Sequence, residues 1–280
     1  MASSMRVESP RVCVVIPWYR AALLPYERLA LNRCLDQLSR HDIVIIKPQG
    51  LNERYLPKAG TQAHENFPDE CFRSIAAYNH LMLSDAFYAR FASYEFVLVH
   101  QLDAWVFRDE LLQWCRAGYD YVGAPWLPSA HVPGRREDVR LSLRRMRYRW
   151  LDRRYVATNG LHRWQYMYSS GNGGFSLRRV SKAREVLRRF PAIAEQYRRD
   201  GLNEDFFFSV AVNRLRTHVR VPHYRRAVAF AWELEPSVCA ALNGGRLPFG
   251  CHGWNKLHRD EWRPIFQQMG YSLDELLAER

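Results

Sequence analysis

The sequence predicts an α/β fold: a mainly parallel sheet flanked by helices, interrupted by an arginine-rich helical insertion. Three observations carry this. Val12–Ile16, Ile43–Ile46 and Phe96–Val99 are unbroken apolar runs of four or five residues, as expected of strands buried on both faces. Segments with helical spacing lie between them, the βαβ order of a parallel sheet with right-handed crossovers. The 280 residues are 48% hydrophobic and 25% charged, enough to bury a core without disulfides or metal. This composition excludes disorder, collagen and coiled coil for the chain as a whole. A single domain over 1–280 is expected, with its core over 12–254 and the basic insertion over 131–168.

The elements follow in order. Val12–Ile16 is a strand stopped by Pro17. Pro25–Arg40 carries Leu31, Cys34, Leu35 and Leu38 at helical spacing, with Pro25 and Glu27 suited to a first turn. Ile43–Ile46 is a second strand, ended by Pro48. Cys71–Leu83 reads as a helix, Phe96–Val99 as a third strand, and Leu111–Ala117 as a helix before Tyr121–Val122. Arg135–Arg154 is basic and helical. Phe175–Leu177 is a strand after the glycines Gly171–Gly174. Ser181–Phe190 reads as a helix capped by Ser181, and Glu204–Leu215 as another. Val219–Pro222 and Val228–Ala231 read as short strands.

Lys and Arg number 41 against 29 acids, a net charge of +12. The excess is concentrated between Arg135 and Arg154, with nine Arg against three acids. Such charge suits an anionic partner: nucleic acid, anionic lipid or a phosphorylated small molecule. No RRM, KH or zinc-finger signature supports nucleic acid. The six cysteines, Cys13, Cys34, Cys71, Cys115, Cys239 and Cys251, show no CxxC spacing and read as reduced thiols. The apolar run before Pro17 is too short for a signal peptide or membrane span, so a cytoplasmic protein is expected.

Four places could carry chemistry. Gln101-Leu102-Asp103 follows a buried strand, where ligands of open α/β sheets bind, and an acid there can hold Mg²⁺ or Mn²⁺ on a phosphate. From spacing alone, Asp103 reads first as a turn or cap residue before Trp105. Asn172, Gly173 and Gly174 precede a strand, which allows close backbone approach to a ligand or only a tight turn. Glu204 and Asp205 open a helix, where acids complement its dipole or one of them acts as base. His252, between Gly250-Cys251 and Gly253-Trp254, has the access of a metal ligand, although a lone His is commonly structural. Trp18, Tyr19, Trp126 and Trp254 could stack on sugars or bases, or belong to core and rim.

The runs VVIPWYR, YEFVLVHQLDAWVF, GYDYVGAPW, GNGGFSLR, NEDFFF and LPFGCHGW occur in this order. Together they resemble a little-characterised family, originally of unknown function, regarded as GT-A-type glycosyltransferases. The resemblance spans about Val12 to Trp254; the Arg-rich stretch departs from it. It implies a GT-A-like, Rossmann-related fold and a nucleotide-diphosphate sugar donor. Gln101 to Asp103 stands where such enzymes carry an Asp-x-Asp motif, with Gln in place of the first acid. Asp103 and His252 would then hold a divalent cation, Mn²⁺ or Mg²⁺, and Pro17, Tyr19, Gln101 and Asp103 would lie near the nucleotide. Similarity in order to Fringe-type glycosyltransferases nominates Asp205 as base, next to Glu204. It places Asn172, Gly173 and Gly174 near the acceptor, and the aromatics Trp126 and Trp254 are expected near the sugar or acceptor as well. The acceptor would be a glycan, a lipid-linked group or a protein. Other readings are a nucleotide-sugar-binding protein without catalysis, a nucleic-acid binder and a phosphodiester- or nucleotidyl-transferring enzyme.

Arg140, Arg144, Arg147 and Arg154 recur at helical steps, and Leu141, Leu143, Met146, Trp150 and Leu151 form a partly separate apolar stripe. This pattern suits an amphipathic helix resting on an anionic membrane or recruiting an acidic acceptor.

Overall fold

The computed structural model of the chain describes residues 9–57, 63–128, 131–151 and 163–278. The strands among them are β1 (Val12–Pro17), β2 (Asp42–Pro48), β3 (Ala63–Phe67), β4 (Phe96–His100), β5 (Ala104–Val106), β6 (Tyr121–Val122), β7 (Phe175–Arg179), β8 (Ala231–Trp232) and β9 (Gly250–His252). Six form a central sheet of order β3-β2-β1-β4-β7-β6. Strands β1 to β4 are mutually parallel, while β7 runs antiparallel to both β4 and β6. The fold is thus α/β, with a mainly parallel sheet flanked by helices.

Side-chain alternation sorts the sheet into two cores. Cys13, Val15, Val44, Ile46, Val97 and Val99 face one side, against helices Ile75–Met82, Asp85–Arg90 and Val180–Arg189. Val14, Ile16, Ile43, Ile45 and Leu98 face the other, against helices Pro25–Gln37 and Leu111–Cys115. Burial on both faces is why these strands read as unbroken apolar runs. Helix Pro25–Gln37 begins as its sequence predicts: Pro25 stands in the first turn, and the Glu27 carboxylate accepts from Leu24 N–H at 2.9 Å.

A second sheet, β5-β9-β8, supports a third core rich in tryptophan. Trp105, Trp232, Trp254, Trp262 and Phe266 meet there, and Leu273 extends it well past Trp254. Helices Pro236–Leu242, Arg259–Gln268 and Leu273–Ala278 close this end and go beyond the predicted core over 12–254.

Several predicted elements change. The helix predicted over Cys71–Leu83 starts later, at Ile75, because the Ser74 hydroxyl accepts from Ala77 N–H and caps it. Ser181 caps nothing: its helix already begins at Val180. The helix predicted over Glu204–Leu215 is one turn, Glu204–Phe206, continued as a π-helix over Phe207–Ala211. Val219–Pro222 is not a strand; the Arg220 carbonyl instead accepts from Asp120 and Tyr121 N–H. Val228–Phe230 forms a turn after helix Tyr224–Ala227, leaving only Ala231–Trp232 extended. All six cysteines are free thiols. The basic helix runs Arg135–Leu151, and Arg154 lies outside the described residues.

Candidate active site

Parallel β1 and β4 end at Pro17 and His100 on the same edge of the sheet. Because β7 is reversed, its amino end opens there too, and the turn Asn172–Gly174 joins that edge. In the second sheet, Ala104 pairs with His252 and brings β9 beside the Gln101–Asp103 turn. A cavity of about 600 Å³ opens at this junction, lined among others by Pro17, Tyr19, Gln101, Asp103, Asn172, Gly173, Gly174, Glu204, Asp205 and His252.

His252 is the hub. Its Nε2 lies 3.0 Å from Asp103 Oδ1 and 3.1 Å from Gln101 Oε1. Its Nδ1 lies 3.0 Å from Glu233 Oε1. Lys256 Nζ donates to the other Asp103 oxygen at 2.9 Å. Burial opposes charge on the imidazole, but the carboxylates of Asp103 and Glu233 prevail and push its pKa up to about 10. Burial likewise opposes charge on Asp103, yet His252 and Lys256 hold its carboxyl well below the usual range.

The sign of the His252 shift gives a stability prediction. A histidine raised from 6.5 to about 10 contributes stability that is complete below pH 6.5 and is lost as pH rises through about 10. The unfolding midpoint of the parent should fall across that window. His252→Gln should show a flatter profile; equal slopes in the two proteins would refute the assignment.

The glycines have a steric cause. A Cβ on Gly174 would stand 2.1 Å from His252 Nε2, and one on Gly173 would stand 2.3 Å from Glu204 Oε1. Asn172 adopts φ 60°, and its Oδ1 accepts from Gly174 N–H at 3.0 Å, holding the turn shut. Gly174→Ala should therefore displace His252 and lower the melting temperature; a midpoint equal to the parent's would contradict this packing.

Glu204 and Asp205 have different fates. Glu204 is ion-paired with Arg178 at 2.6 Å, the two side chains 5% and 1% exposed. Arg178 also donates to Tyr88 Oη and Ser176 Oγ, each at 3.0 Å. The Glu204 charge is thus committed to a buried arginine, although its side chain also borders the cavity. Asp205 forms no ion pair among the described residues and accepts only from Phe206 N–H, at 2.7 Å. Burial first, then the adjacent Glu204 carboxylate, raise its pKa well above the ordinary carboxyl value.

Two aromatic assignments are also corrected. Trp126 is 6% exposed and stacks on Phe206 with ring centroids 4.5 Å apart. Trp254 is fully buried and stacks on Phe266. Neither has a face left for a sugar, and neither lines the cavity. Tyr19, 46% exposed, does line it.

Glu233, Lys256 and Arg178 escape sequence reasoning. Glu233 follows a strand of two residues, and Lys256 sits in a turn after β9, so neither has a periodic signal. Arg178 lies inside the recognised GNGGFSLR run, where burial of an arginine could have been expected to require an acid.

No curated protein matches the chain. Among solved structures, core-mannan synthase A (CmsA/Ktr4) from Aspergillus fumigatus, in its Mn/GDP form, is similar over 80% of this chain and 74% of that one. The identity is 14% and the TM-score 0.43. The family model described as "Protein of unknown function (DUF5672)" matches residues 62–252, a span reaching from β3 to His252. That match covers well over half of the sequence, and the chain belongs to this family.

Proposed function

We propose that the protein is a glycosyltransferase that moves a sugar from a nucleotide-diphosphate sugar to an acceptor hydroxyl, metal-assisted and with inversion. One observation carries this reading: Asp103, Gln101 and His252 converge at the carboxyl edge of the sheet, in the same cavity as the unpaired Asp205. The motif order supports the same class.

The donor set fits a hard divalent cation. Asp103 Oδ1 and Gln101 Oε1 each lie about 3 Å from His252 Nε2, and once a cation displaces the proton on that nitrogen the two oxygens and the imidazole form a set Mn²⁺ or Mg²⁺ accepts. A cation bound there would neutralise charge on a diphosphate leaving group. Lys256, held against Asp103, adds a positive charge of the chain's own at the same place. Tyr19 and Pro17 form the wall where a nucleotide would rest. Asp205, when ionised, takes the proton of the acceptor hydroxyl, and burial together with Glu204 makes that carboxylate a stronger base than an exposed one. A base acting directly on the acceptor implies single displacement, hence inversion.

A thermal-shift panel of nucleoside diphosphates, with and without Mn²⁺, tests the donor site. A nucleotide at ~100 times its dissociation constant should add ~2.7 kcal/mol of stability. Product analysis with the matching nucleotide sugar tests transfer. The absence of any nucleotide response would end the proposal. Binding without transfer to any acceptor or water would reduce it to a nucleotide-sugar-binding protein.

A further inference from the structure

Helix Arg135–Leu151 carries three distinct stripes, and two face solvent. The inner stripe ties it to the protein. Leu141 is buried, Asp138 accepts from Arg225 Nε at 2.6 Å, and Arg149 Nε donates to Gln165 O at 2.9 Å. Arg145 donates to Tyr168 O. Leu141 thus leaves the predicted apolar stripe and Val139 takes its place.

The outer apolar stripe is Val139, Leu143, Met146 and Trp150, 61%, 56%, 62% and 66% exposed. At 3.6 residues per turn, these positions fall within about 60° of one another. Nine large apolar side chains are exposed among the described residues; six, from Val132 to Leu151, lie on or just before this helix. Scattered exposed apolar residues need no explanation, but a concentrated row does.

The third stripe adjoins it. Arg136, Arg140 and Arg147 are exposed and form no ion pair among the described residues. Arg144 lies beside them, its guanidinium 3.6 Å from the Trp164 ring centroid. The helix's two first-turn acids are engaged elsewhere, Glu137 with His131 and Asp138 with Arg225.

We propose that this helix seats the protein on an anionic lipid surface. The partner must cover hydrocarbon and neutralise cations along one helix at once. A headgroup layer over acyl chains does both, with the apolar stripe entering ~5–10 Å. Nucleic acid would leave the row of Val139 to Trp150 in water. A second copy would oppose arginine to arginine. Among the described residues no helix is long and apolar enough to cross a membrane, so the contact is peripheral.

Co-sedimentation of the full chain with vesicles tests this. The parent should pellet with phosphatidylcholine vesicles containing phosphatidylglycerol, and not with phosphatidylcholine alone, and salt should reverse it. Each juxtamembrane arginine carries roughly a fivefold effect, so the double variant Arg140→Gln/Arg147→Gln should bind about 30-fold more weakly. Leu143→Ser/Trp150→Ser should also bind more weakly, while keeping the parent's unfolding midpoint because both side chains are exposed. Parent-like binding by both double variants would overturn the proposal. So would equal binding to neutral vesicles, or arginine variants that lose retention on DNA and keep the vesicles. A dimer in solution that dissociates on Trp150→Ser would assign the face to self-association and overturn it as well.

Discussion

Arg178→Met is expected to destabilise the fold by about 3–5 kcal/mol, the cost of leaving a buried charge without its partner. Arg178 is 1% exposed and Glu204 5%, with 2.6 Å between them, so neither can turn to water. Methionine fills much of the arginine volume, which isolates the electrostatic loss from a cavity. The stranded Glu204 carboxylate would then lie beside Asp205, a second acid on the same turn. The hydrogen bonds to Tyr88 and Ser176 are lost as well. The double variant Arg178→Met/Glu204→Gln should recover most of the stability, because the uncompensated charge goes with it. Denaturant unfolding measures both. A single variant within about 1 kcal/mol of the parent would show that the pair is not the buried contact described.

Asp205→Asn is expected to lower turnover by roughly 10²–10⁴-fold and leave nucleotide binding nearly unchanged. Asparagine keeps the size and the acceptor for Phe206 N–H but cannot take up a proton. Since burial and Glu204 raise the proton affinity of Asp205, the parent rate should climb as pH rises and that carboxyl ionises. The residual rate of the variant should lack that rise. Glu204→Gln serves as the contrast: it weakens the Arg178 pair and so acts on stability. If Asp205→Asn retains full turnover on the donor selected by the nucleotide panel, Asp205 is not the base.

Legibility from sequence followed burial. β1, β2 and β4 are covered on both faces and announce themselves as apolar runs. β3, Ala63-His64-Glu65-Asn66-Phe67, is a half-exposed edge strand whose pairing with β2 leaves no pattern in its own residues. The reversal of β7 could not be read either, because Phe175–Arg179 would look the same in either direction. At the site, Asp103 and His252 were visible beside strands, Asn172–Gly174 as a glycine run, and Asp205 as an acid opening a helix. Glu233 and Lys256 were not, because their place depends on β8 and β9, strands of two and three residues. Trp126 and Trp254 show the reverse failure: an aromatic in a loop says nothing of which side it turns to.

The neck of the basic excursion has a consequence for how this chain can change. Trp126 N–H donates to Ser169 O at 3.0 Å, and Tyr168 N–H returns to Trp126 O at 2.8 Å. Residues 127–167 therefore leave and re-enter the fold at one point, while Val122 stays paired with Leu177 beyond it. For a loop closed in this way, doubling the length costs only ~0.6 kcal/mol in closure entropy. Contacts such as Asp138 with Arg225, and the burial of Leu127 and Leu141 in the third core, are what any change in its length must keep. A change of length within it leaves Asp103, Asp205 and His252 in place, because none of them lies between its two ends. The exposed row from Val139 to Trp150 can thus vary apart from the residues that line the cavity.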